Sequence, residues 1–114
     1  MSHILESIDR ILGYTRSESP DALAKDALVY YGIVKNIEII GEAAYKLSLL
    51  FKSRHPETPW ENIVKMRHVL VHDYYQIDEE DVWQVVEEDL PPLRDQVVRY
   101  LNETDWEQWE QQDP

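Results

Sequence analysis

Between residues 33 and 51 the chain repeats apolar side chains at helical spacing, with Ile33, Ile37, Ile40, Ala44, Leu47 and Phe51 on one stripe. Ile39, Ala43 and Leu50 widen that stripe around the cylinder, so the segment reads as the central helix of an all-α domain. An unbroken helix over residues 22–53 would be about 48 Å long at a rise of 1.5 Å per residue. A single domain of 114 residues is narrower than that. The helix must therefore bend, project, or be covered by a second copy of the chain. Gly41, followed closely by Ala43 and Ala44, makes a smooth patch where another helix can come close, from this chain or from another copy.

The rest of the pattern is also helical. Ile4, Ile8, Ile11 and Leu12 mark a helix over residues 3–16, closed by Ser19-Pro20-Asp21. Thr58-Pro59-Trp60-Glu61 is a strong helix start, with an N-cap Thr, a first-turn Pro and a capping-box Glu. The spacing predicts a helix from Pro59 to Asp73 and another from Asp78, whose first turn carries Glu79, Glu80 and Asp81. Pro91-Pro92 predicts an interruption, followed by a short helix to Leu101. No segment alternates as a strand does. The expectation is an all-α, up-and-down bundle of four to five helices over residues 1–101, with a frayed acidic tail over residues 102–114.

Composition narrows the chemistry. There are no cysteines, so disulfides, thiolate metal sites and cysteine nucleophiles are excluded. No apolar run reaches the roughly 20 residues that span a bilayer, and the N-terminus does not read as a signal peptide, which predicts a cytoplasmic protein and no membrane contact. The formal net charge is −12 and lies mostly in the second half. Residues 1–57 carry eight acidic and seven basic side chains, residues 58–114 fifteen and four. Such a surface repels nucleic acid at long range, which excludes a non-specific RNA-coating protein. An enzyme that touches a few phosphates in a local cleft remains allowed, and so does a basic partner protein.

The candidate chemistry lies in Arg67-His68-Val69-Leu70-Val71-His72-Asp73-Tyr74-Tyr75. On a helix, Arg67 falls inside the apolar arc of Ile63, Val64, Met66, Leu70 and Val71. A buried guanidinium needs an anionic or hydrogen-bonding partner, either a carboxylate such as Glu42, reached by snorkelling past the core, or a substrate anion. His68 and His72 are one turn apart on a shared face, a spacing open to metal binding, to acid–base work or to plain solvation. Arg67 and His72 stand about 140° apart around the helix. They converge only if the Arg stem wraps round, if the helix ends, or if a second copy faces the segment across a two-fold axis.

Arg67-x-x-x-x-His72-x-Tyr74 resembles the signature of HEPN-domain proteins, specifically the HepT-like toxins of HEPN/MNT toxin–antitoxin pairs. Ile39-Ile40-Gly41-Glu42-Ala43-Ala44, Thr58-Pro59-Trp60, Ile77-Asp78, Val82-Trp83 and Asp89-Leu90-Pro91 continue the likeness over most of residues 4–100. The resemblance implies a homodimer with a shared cleft, acting as a metal-independent endoribonuclease with no cofactor, on mRNA or tRNA. It implies that Arg67 binds the scissile phosphate and that His72 moves the proton for attack by the ribose 2′-hydroxyl. His68 stands where the family often has Asn, and Glu42 is placed to orient Arg67. Tyr74 is similar to the tyrosine that a nucleotidyltransferase antitoxin modifies with AMP, which sets bulk and negative charge beside the site. Two other readings stay open: a non-catalytic nucleotide- or substrate-binding subunit of a minimal nucleotidyltransferase, and a metal-dependent hydrolase using His68 and His72.

Overall fold

The computed structural model describes residues 1–16, 25–72 and 79–103, and within them every regular element is helical. Helix α1 (Ser2–Thr15) buries Ile4, Ser7, Ile8, Ile11 and Thr15, one face at the expected spacing. Helix α2 (Ala27–Lys46) starts where the Asp26 carboxylate accepts the backbone N–H groups of Leu28 (3.1 Å) and Val29 (3.3 Å). It buries Ile33, Val34, Ile37, Ile40, Gly41 and Ala44, and packs against α1 on one flank and α4 on the other.

The long helix does not run unbroken to residue 53. Leu47 and Ser48 are extended, with ψ of 148° at both, and the chain turns into a separate short helix α3 (Leu49–Arg54). Ser48 causes the restart, since its hydroxyl accepts the N–H of Phe51 at 3.1 Å. Lys52 then reaches back to the last carbonyls of α2, Ala44 O at 3.1 Å and Tyr45 O at 3.3 Å. The break leaves α2 about 30 Å long. That fits a molecule measuring 44 × 29 × 21 Å.

Helix α4 (Trp60–His72) follows a loop pinned by a polar and aromatic knot. Thr58 was expected to cap this helix. Instead it is buried, and its hydroxyl turns to the last helix, meeting Gln96 Oε1 at 2.7 Å and the Tyr100 hydroxyl at 2.6 Å. Glu57 Oε1 accepts from Tyr100 (2.8 Å) and from Arg99 (2.9 Å). The Trp60 indole N–H donates to His55 O at 2.9 Å, and the Phe51 and Tyr100 rings meet edge-on at 5.6 Å. These tertiary bonds outweigh one local cap because they join residues otherwise held far apart in a buried setting.

Helix α5 (Glu79–Gln84) passes through a π-helical turn (Val85–Asp89) into α6 (Leu90–Glu103) without a gap. The predicted interruption at Pro91-Pro92 therefore does not occur. The π turn hydrogen-bonds Leu90 N–H to Val85 O, five residues back, and widens the helix. The prolines fall in the first turn of α6, where a missing N–H and a bulky ring are tolerated. Helix α6 buries Leu90, Leu93, Val97 and Tyr100, and Arg94 ties it to α1 through Asp9 at 2.7 Å. It runs to Glu103, so the expected tail from residue 102 gives its first two residues to the helix, and residues 104–114 lie outside the described residues.

Candidate functional site

Helix α4 lies against α2 at Gly41. A Cβ added there would overlap the Cβ of Arg67 and stand 3.2 Å from both Arg67 Cγ and Ile63 O. The smooth patch around Gly41 is thus filled from within the chain, by the stem of Arg67. This explains how a charged residue sits in the apolar arc of α4: its methylenes cross the bare glycine and its guanidinium reaches the rim. Arg67 is half-buried.

Glu42, the expected partner, pairs with Lys46 at 3.2 Å, one turn along its own helix. The hydrogen bond and charge of Lys46 hold the Glu42 carboxyl below its ordinary value, with a smaller contribution from Arg67 and then from Lys35. Arg67 is near enough to be felt by Glu42 but is not bonded to it. Among the described residues no carboxylate lies within 4.0 Å of the charged group of Arg67 or of Lys65. Lys46 and Lys52, which could add to a positive patch with Lys65 and Arg67, are engaged, one by Glu42 and one by the α2 carbonyls.

His68 and His72 are both exposed on α4, with ring centroids 4.4 Å apart and planes tilted by 49°. Lys65 is exposed three residues before His68, on the same stripe. The shared face expected from their spacing is therefore present. Among the described residues no third His, Asp or Glu joins them as a metal-ligand group. Helix α4 continues through His72, so within the described residues no break swings His72 round to Arg67. Asp73, Tyr74 and Tyr75 lie outside the described residues. The site is thus a ridge: a cation emerging beside Gly41, and two imidazoles with a lysine on the adjoining stripe.

Sequence reasoning missed the salt bridge that occupies Glu42, although a Glu four residues before a Lys on a helix is a readable signal. It also missed several outward apolar residues. Tyr31 and Tyr45 on α2, Leu49 and Leu50 on α3 and Val71 on α4 are all exposed.

Comparison with known proteins names the family of this small α-helical bundle. The family described as "Ribonuclease HepT-like" matches residues 4–100, and the chain belongs to that family. A protein of Thermococcus cleftensis named "Probable ribonuclease HepT" is 34% identical over 94 residues, which cover 82% of this chain and 86% of that one. A Caldanaerobacter subterraneus protein named "Putative RNase" is 30% identical over 101 residues, covering 89% of this chain and 90% of its own length. A Methanocaldococcus jannaschii protein named "Gamma-glutamylcyclotransferase and putative RNase" is 32% identical over 105 residues, 92% of this chain and 47% of that protein. The chain spans about half the length of this last relative and most of the other two. No solved structure matches the chain.

Proposed function

We propose that this protein is a toxin ribonuclease that cleaves RNA without a metal ion, from a site assembled on α4 of two copies. The observation that carries the reading is the state of the α4 ridge: Lys65 and Arg67 have no acidic partner among the described residues, although they lie in the strongly acidic half of the chain. An unpaired guanidinium seated on a glycine is pre-positioned to receive a phosphate and to stabilise charge developing on it. His72, exposed one turn from His68, supplies an imidazole for proton transfer from the ribose 2′-hydroxyl. The 2′-oxygen then attacks the phosphorus, the 5′-oxygen leaves with a proton, and a cyclic phosphate end remains. His68 is in ring contact with His72 and positions it.

The acidic surface does not oppose this chemistry, because one structured RNA is read by shape and a few contacts. A second copy supplies what one helix lacks, since Arg67 and His72 point about 140° apart on α4. Exposed apolar side chains on α2, α3 and α4, namely Tyr31, Tyr45, Leu49 and Val71, offer surface that such a pairing could cover. Regulation follows from the family: Tyr74, two residues past His72, is the position we assign to AMP transfer by a nucleotidyltransferase antitoxin.

Cleavage of RNA in the presence of EDTA by the purified protein tests the reading, with His72→Ala as the control. Loss of cleavage in that variant with an unchanged melting temperature is expected. Equal cleavage by His72→Ala, or loss of wild-type activity in EDTA restored by one added metal, would overturn it. The antitoxin reading is checked separately by mass spectrometry after incubation with the nucleotidyltransferase and ATP, with a single adenylylated site at Tyr74 expected.

A further inference from the structure

On the flank of α4 away from its histidine stripe, a cavity of about 330 Å³ opens between α2, α4 and the π turn leading into α6. Ile37 and Ile40 of α2, Ile63 and Met66 of α4, and Leu90 and Leu93 of α6 form its apolar walls. That volume is at the lower end of pockets that take small molecules. Four polar residues reach it: Glu57, Asn62, Asp89 and Gln96. Two of them are already engaged. Glu57 is held by Arg99 and Tyr100, and Gln96 donates to Glu57 O and accepts from Thr58.

Asn62 and Asp89 are different. Among the described residues neither side chain makes a hydrogen bond or ion pair. They belong to opposite walls, Asn62 to α4 and Asp89 to the π turn, and both reach the same cavity. The π turn is what delivers Asp89, since its extra residue displaces the carboxylate from the regular helical register, and such turns recur at binding sites. Both side chains are exposed to solvent at the cavity, and partial burial with the neighbouring charge of Glu88 raises the Asp89 carboxyl above its ordinary value.

We propose that this cavity binds a small ligand consisting of an apolar body of about one ring and a single ammonium group. The body lies against Ile37, Ile63, Met66 and Leu93, and the ammonium donates to the Asp89 carboxylate and to the Asn62 carbonyl oxygen. The Asp89 carboxylate, without a donor among the described residues, selects a cation over an anion, and an apolar wall selects an amphiphile over a bare metal ion or a free polyamine. The proposal stands apart from the ribonuclease reading, because it needs neither Arg67 nor His72.

The chain has two methionines, Met1 and Met66, and only Met66 lines the cavity. Methyl-13C-methionine labelling of the whole protein therefore gives a direct reporter. Titration with 2-phenylethylamine should shift the Met66 methyl resonance saturably and leave Met1 in place. The neutral isostere 2-phenylethanol should bind about tenfold more weakly, as should the amine to Asp89→Asn. The proposal is overturned if Met66 does not respond saturably to the amine. It is also overturned if the alcohol matches the amine, or if Asp89→Asn binds the amine as tightly as the natural chain.

Discussion

The second half of the chain holds four basic side chains, and the fold uses them in two opposite ways. Arg94 and Arg99 on α6 each hold a carboxylate of another element, Asp9 at 2.7 Å and Glu57 at 2.9 Å. Lys65 and Arg67 on α4 hold none among the described residues. Around Arg99 the polar groups of Glu57, Thr58, Gln96 and Tyr100 satisfy one another in a closed knot. The stem of Arg67 lies on a bare glycine, and on the adjoining stripe of α4 two exposed imidazoles touch each other. Arg94 and Arg99 serve the scaffold, and we propose that Lys65 and Arg67, without an acidic partner among the described residues, serve the substrate. Substitutions in the two regions should therefore separate stability from activity.

The largest effect is expected on the ridge. Arg67→Ala and His72→Ala should each lower RNA cleavage by about 100-fold or more, in initial rates on a defined RNA. The denaturant midpoint of His72→Ala should stay near that of the natural chain, with stability changed by about 0.5 kcal/mol. Arg67→Ala also loses the stem packed on Gly41 and should be somewhat less stable. A collapse of stability in His72→Ala would erase the contrast between the regions. In the knot the order reverses. Tyr100→Phe leaves Thr58 and Glu57 short of a partner, and should cost about 1–3 kcal/mol in urea unfolding while cleavage by the folded fraction persists.

Gly41→Ala probes the contact between the two regimes. The added methyl overlaps the Arg67 stem, costing about 1–3 kcal/mol, against which the better helix propensity of Ala returns about 1 kcal/mol. A small net loss of stability with a larger loss of cleavage is expected, since Arg67 must shift. Smaller still is Ser7→Ala. Ser7 Oγ is buried with no hydrogen bond among the described residues, and its removal should raise stability by about 0.5–1 kcal/mol in the same unfolding assay.

The knot also carries a pH signature. A bond from its own backbone N–H, then one from Tyr100 and the neighbouring His55, hold the Glu57 carboxyl below its ordinary value. A carboxyl depressed in the folded state contributes stability above its unfolded value, about 4.3, and loses it as pH falls through the lower folded value. Glu57→Gln should differ from the natural chain in thermal melts at neutral pH and converge with it in acid. A difference that widens in acid would reassign the depressed carboxyl.

Much of the fold was legible because its causes are local and periodic. Ile4, Ile8 and Ile11 announced α1, and the stripe from Ile33 to Ala44 announced α2, each through one face of a cylinder. The break after Lys46 was hidden because Leu47 and Phe51 keep the apolar period across it, and both are buried although they belong to no common helix. The π turn was hidden for a related reason: Val85, Val86, Glu87, Glu88 and Asp89 read as ordinary helix, and only the observed i→i−5 bond shows how Pro91 and Pro92 are accommodated. Thr58 was misjudged because its partners are 38 and 42 residues away. At the site, geometry alone placed Arg67 in the apolar arc and parted it from His72, and Gly41 accounts for the first. The role of each residue in cleavage came from likeness to the family, since spacing defines neighbours and not a reaction.

The claim that the ridge is completed by a second copy has one direct test. Arg67→Ala and His72→Ala proteins, each inactive alone, are unfolded together, refolded as a mixture and assayed on RNA. If each site takes Arg67 from one copy and His72 from the other, half the dimers are mixed and each has one intact site. Roughly a quarter of the natural activity should then return. A mixture as inactive as its components would contradict the account and place the whole site within a single chain.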